Sequence, residues 1–151
     1  MKKFNYRMQS ILDIKAKLEE QEKTNYGLAR ARLSQEEEKL AALIQRKNEY
    51  EDKLKGRVSG VLHIDDIRKC SSDIEIMKVL IKQQEQQVKR AEQAVEFARQ
   101  KLTVAMREHK MHEILREKAF EEYMHETNAE ESKEIDENVS FTYGEKQKQE
   151  S

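Results

Sequence analysis

Apolar side chains recur along this chain at alternating steps of three and four residues, the period of a helix that packs along one face. The first seam reads Phe4, Met8, Ile11, Lys15, Leu18, Glu22, Asn25, Ala29, Leu33, Glu36, Leu40, Leu43, Lys47, Tyr50 and Leu54. Ten of these 15 positions are apolar or aromatic, enough to predict a helix over residues 4–54. At 1.5 Å per residue such a helix is ~75 Å long. Two consecutive four-residue steps, Asn25 to Ala29 to Leu33, predict a stutter that locally unwinds a supercoil.

Gly56 and Gly60 then fall within five residues, and glycine is favoured just past a helix C-terminus. Residues 55–64 are therefore expected to form a loop. Ser59 and Asp65 are both candidate N-caps for the next helix, and Asp65 has the stronger case because the next apolar run starts at Ile67. The second seam runs Ile67, Cys70, Ile74, Met77, Ile81, Gln84, Val88, Ala91, Val95, Ala98, Leu102, Ala105, His109 and His112, with 11 of 14 positions apolar. Unbroken 3-4 spacing over more than three heptads is the signature of a coiled coil. The stripe drifts to Met111, Leu115, Ala119 and Tyr123 and then weakens, so the helix is expected to span 65–136, with a disordered polar tail over 138–151.

Two long amphipathic helices joined by a short link predict an all-α antiparallel hairpin, in which each helix supplies the apolar face that the other lacks. Setting Leu54 against Ile67 brings Phe4 beside Glu117 and Glu22 beside Arg99, and leaves the second helix overhanging beyond Lys118. With five polar positions in the first seam, a monomeric hairpin and a four-helix dimer both stand.

Composition narrows the classes of function. The 151 residues include no Pro and no Trp, only four Gly, and 39% charged side chains. Leu, Ile, Val and Phe together make 21% of the chain, too little for the core of a compact α/β enzyme. Basic and acidic residues nearly cancel at a net charge of −1, which argues against a nucleic-acid binder. The balance is uneven along the chain. Residues 1–118 hold 26 basic and 20 acidic side chains, whereas 119–151 hold 3 basic and 10 acidic, so the acidic charge collects on the overhang.

The start of the chain has no apolar run long enough for a signal peptide or a membrane span, and Cys70 is alone, so a soluble, cytoplasmic protein is expected. Cys70 sits in the seam, where a buried thiol acts as a small hydrophobe. His109 and His112, flanked by Glu108 and Glu113, share a helix face, but Arg116 stands where a zinc-protease helix needs its second His. No Gly-rich phosphate loop and no paired nucleophile and base occur. No catalytic residue, cofactor or metal is expected.

The two ends of the chain carry a resemblance. Phe4-Asn5-Tyr6-Arg7-Met8-Gln9-Ser10-Ile11-Leu12 resembles the F-x-Y-x-hydrophobic-Q-x-hydrophobic-L opening of the FliJ family of flagellar export proteins. Lys110–Lys118 is similar to that family's basic-x-x-E-x-L-x-E-K segment, and Glu131–Glu137 to its E-x-x-E-x-D-E end. Leu43–Tyr50 has the same character, so the likeness spans residues 4–137.

The resemblance implies an antiparallel coiled coil similar to the central stalk of rotary ATPases. It implies a protein that enters the pore of the hexameric export ATPase FliI, promotes assembly of the ring, contacts the export gate protein FlhA and binds export chaperones. Such a protein is peripheral to the inner face of the membrane through the export apparatus. Matched residue by residue, Phe4, Met8, Ile11, Glu113, Leu115, Glu117 and Tyr123 become candidates for the pore contact. Leu43, Tyr50, Met77, Leu80 and Gln84 become candidates for the gate contact, although packing in the seam is the better explanation of Leu43 and Tyr50. The competing readings are the corresponding stalk of a virulence type III secretion system and a generic coiled-coil scaffold or membrane-associated protein.

Overall fold

The computed structural model describes residues 3–58 and 63–150; Ser59 and Gly60, singled out above, lie outside them. The described residues form two helices, α1 (Gln9–Val58) and α2 (Ile64–Glu150), with no strand. The fold is an all-α antiparallel coiled-coil hairpin. It divides into two compact units, one of residues 19–104 and one that joins the N-terminal 18 residues to the chain from Ala105 onward.

The helix ends differ from the expected ones. α1 starts at Gln9, not Phe4: the Met8 carbonyl accepts hydrogen bonds from the Ile11 and Leu12 amides, and the Tyr6 carbonyl accepts one from Gln9. α1 also runs through Gly56 to Val58, because a single glycine near a helix end costs only about 1 kcal/mol relative to alanine and does not stop it. At the start of α2, the His63 carbonyl accepts from the Asp66 and Ile67 amides, so His63 is the N-cap and Asp65 lies inside the first turn. There Asp65 and Asp66 oppose the positive end of the helix dipole. At the other end, residues 138–150 continue α2 where the sequence suggested a tail. That segment lacks Pro, and its single Gly144 costs a helix only about 1 kcal/mol relative to alanine.

In the unit of residues 19–104 the α2 seam lies where the periodicity puts it. Cys70, Ile74, Met77, Val88, Ala91 and Ala98 are buried, and Ile67, Ile81, Gln84, Val95 and Leu102 are half-buried. On α1 the seam continues through Glu19, Glu22, Tyr26, Ala29, Leu33, Glu36 and Leu40, all half-buried, while Asn25 is exposed. The expected stutter is therefore absent. Taking Tyr26 in place of Asn25 gives α1 the same strict 3-4 period as α2, and two helices supercoil continuously only when their periods agree.

A hydrogen-bonded cross-link at Gln84 helps to fix the register of this unit. The Gln84 side-chain amide donates to the Glu36 backbone carbonyl at 2.9 Å and also to the Glu36 carboxylate. The expected Glu22–Arg99 pair does not form. Arg99 turns to Glu96 one helical turn away, an intrahelical fork that needs no reach across the seam. One Glu22 carboxylate oxygen is left buried without a hydrogen-bond partner. Burying such a group unpaired costs about 1–3 kcal/mol, so Glu22→Leu is expected to stabilise the fold by about 1–2 kcal/mol, seen as a higher midpoint in urea titrations followed by circular dichroism.

Candidate partner-binding surfaces

The unit formed by the N-terminal residues and the distal part of α2 holds the candidate pore residues. Residues 3–6 are non-helical and run as a strap beside α2, so that Lys3–Met8 and Ala119–Glu130 border one groove. Phe4 anchors the strap. Its ring meets Phe120 edge-on at 5.2 Å and Tyr123 at 5.3 Å, and the Arg116 guanidinium lies 5.5 Å from the ring centre. Arg116 also donates to the Gln9 side-chain oxygen at 3.0 Å, tying the first turn of α1 to α2. Phe4 thus lies about one helical turn beyond Glu117, its expected neighbour. The groove has Lys3 and Arg7 on the strap side and Glu122, Glu126 and Glu130 on the helix side.

A second tie lies deeper in the same unit. The Lys15 ammonium meets the Glu108 carboxylate at 2.8 Å and, chiefly through this hydrogen bond, holds its pKa below the ordinary carboxylate value. In the other unit, Gln84 lowers Glu36 in the same way. A carboxylate with a lowered folded-state pKa stabilises the fold above its unfolded value, here 4.5, and loses that contribution as pH falls through the lower folded value. Thermal midpoints are therefore expected to drop on acidification below pH 4.5. The drop should be shallower in the double variant Lys15→Met, Gln84→Leu.

The seven candidate pore residues divide. Phe4 and Tyr123 meet in the aromatic cluster, Met8 is exposed beside them, and Ile11 is half-buried at the first turn of α1. Glu113 is engaged along its own helix by His109 at 3.2 Å and Lys110 at 3.7 Å. Glu117 is exposed, and Leu115 is exposed next to Met111 and Ile114. Sequence reasoning missed Arg116 and Phe120. Their signal was the aromatic pair Phe120 and Tyr123 at a spacing of three, which puts both rings on one helix face.

The five candidate gate residues are not one surface. Met77 is 6% exposed and belongs to the core, which removes it from any contact face. The Gln84 amide is spent on Glu36, and Leu43 and Tyr50 are half-buried in the seam, Tyr50 with Lys53 over its ring at 5.9 Å. Leu80 alone is exposed, and it joins Ile76 and Val79 in an apolar patch whose i, i+3, i+4 spacing could have flagged it.

Among the described residues no group of three or more His, Cys, Asp or Glu side chains could hold a metal ion, and no helix is long and apolar enough to cross a membrane.

No curated protein sequence matches the chain. Among solved structures it resembles a protein of Chlamydia trachomatis described as a YscO homologue, with a TM-score of 0.60 at 20% identity, over 93% of this chain and 96% of that one. A likeness at that identity speaks to the fold alone, and the hairpin is the fold it shares. The sequence profile of the family described as flagellar FliJ protein matches residues 4–148, nearly the whole length, with both seams inside the match. The chain belongs to the FliJ family of flagellar proteins.

Proposed function

We propose that this protein is a non-catalytic stalk of the flagellar export apparatus, which inserts the end bearing the Phe4 strap into the pore of the hexameric export ATPase and promotes assembly of the ring. The observation that carries this reading is the aromatic anchor. It holds the start of the chain against α2 beside a helix that continues without an α1 partner, with every described side chain from Asn128 to Lys148 exposed. That end presents aromatic, basic and acidic groups together, the mixed chemistry from which protein interfaces draw their anchors. ATP hydrolysis belongs to the ring in this reading. Contact with the gate protein falls to the exposed patch of Ile76, Val79 and Leu80, and export chaperones are further partners.

The test is steady-state ATP hydrolysis by the flagellar ATPase at rising concentrations of this protein. Stimulation that saturates near one chain per hexamer is expected; unchanged hydrolysis at saturation overturns the reading. A second reading is the corresponding stalk of a virulence secretion ATPase, since a protein described as a YscO homologue has the same fold. Stimulation of that ATPase and not of the flagellar one would select it.

A further inference from the structure

A line of side-chain contacts joins the Phe4 strap to the start of α1. The Arg116 guanidinium lies 5.5 Å from the centre of the Phe4 ring, and its Nε donates to Gln9 Oε1 at 3.0 Å. The Gln9 side-chain nitrogen in turn donates to the Asp13 carboxylate at 3.0 Å. Strap, α2 and the beginning of α1 are tied together through these three residues.

Local chemistry alone does not favour the helix start that this line holds. The Met8 carbonyl accepts the first helical amides, but a thioether is a weak acceptor and leaves the remaining first-turn amides without a side-chain cap. The first turn also carries no acidic side chain to oppose the helix dipole. Two residues further on, Ser10-Ile11-Leu12-Asp13 has the S-x-x-D spacing of a capping box. In such a box the serine hydroxyl accepts from the amide three residues later, and the acidic side chain reaches back to the serine amide. That box is not in use. Ser10 lies inside α1 with its side chain exposed, and Asp13 is held by Gln9.

We infer that α1 has two alternative starts, and that docking of the Phe4 ring on α2 selects between them. With the ring seated on Phe120 and Tyr123, Arg116 and Gln9 hold Asp13 away from Ser10 and the helix begins at Gln9. With the ring withdrawn, Gln9 loses its hold on α2, Asp13 turns back to Ser10, and the helix begins at Ile11. Residues 3–9 then form a free arm, and the faces of Phe120 and Tyr123 that Phe4 covered open together. The box offsets the cost of unwinding Gln9 and Ser10, so a partner that takes the Phe4 ring has only a small difference to overcome. The inference concerns the chain by itself and does not depend on the ATPase reading.

Ser10→Ala tests it in two backgrounds of the full-length protein, read by residue-resolved amide exchange. In the parent the serine hydroxyl caps nothing, and exchange should be unchanged. In Phe4→Ala the box carries the helix start, so Ser10→Ala should speed exchange over residues 13–16 about fivefold, the usual effect of removing an N-cap. Carbon-13 shifts locate the start directly: in Phe4→Ala the Gln9 Cα should move to its coil value while those from Ile11 onward stay helical. An equal effect of Ser10→Ala in both backgrounds, no effect in Phe4→Ala, or a Gln9 Cα that stays helical there overturns the two-start scheme.

Discussion

Replacing Met77 with alanine is expected to destabilise the protein by about 2–4 kcal/mol, the range for truncating a buried long side chain in a packed interior. Urea denaturation followed by circular dichroism at 222 nm should show it as a lower midpoint with an unchanged slope. The effect is large because the core is thin. The chain exposes 12516 Å², against about 8,000 Å² for a compact protein of its mass. No described side chain is fully buried, so each seam residue carries an outsized share of the stability. Leu80→Ala, one helical turn away on the exposed side, should change stability by less than about 1 kcal/mol. The contrast between the two variants separates core from surface at positions that the family resemblance had grouped as one contact site. Intact stability in Met77→Ala would place that side chain outside the seam.

The second large effect is expected from Phe4→Ala. The ring loses two aromatic contacts and a cation–π contact, each worth about 0.5–1.5 kcal/mol, for a local loss of about 2 kcal/mol. Because the strap precedes the first turn of α1 and Phe4 is its anchor, the loss should release residues 3–8 without unfolding the helices. Amide exchange at Gln9–Leu12 should quicken while the thermal midpoint moves little. In the ATPase assay the concentration for half-maximal stimulation should rise about tenfold, as expected when 1.4 kcal/mol of pre-organisation is lost. Phe4→Tyr keeps the ring and should behave like the parent. An unaltered stimulation curve for Phe4→Ala would show that the strap plays no part in binding the ring.

The hairpin and the whole α2 seam were legible in the sequence, since 11 apolar positions in strict period leave a helix a single face to bury. The α1 seam was not, between Leu12 and Tyr26. There Lys15 and Glu22 belong to either stripe and Leu18 is more apolar than the Glu19 that turns inward, so only the partner helix decides between them. Pairings between long polar side chains were beyond reach for the same reason. Arg99 can reach Glu96 along its own helix as readily as a residue across the seam, and periodicity does not separate the two. The strap escaped because Phe4 and Met8 fit a helical spacing, although Phe4 is held by Arg116 and the aromatic cluster instead. The candidate gate residues show the limit of transfer by resemblance, because a match in letters does not say whether Met77 points in or out.

The Gln84 amide seated on the Glu36 carbonyl has a mechanical consequence. Heptad seams resist separation, but they resist sliding less, since a shift of seven residues re-forms most of the same contacts about 10 Å away. A side chain bonded to one particular carbonyl acts as a detent against that slip. A turning or pulling load along this unit meets a hard stop at that carbonyl.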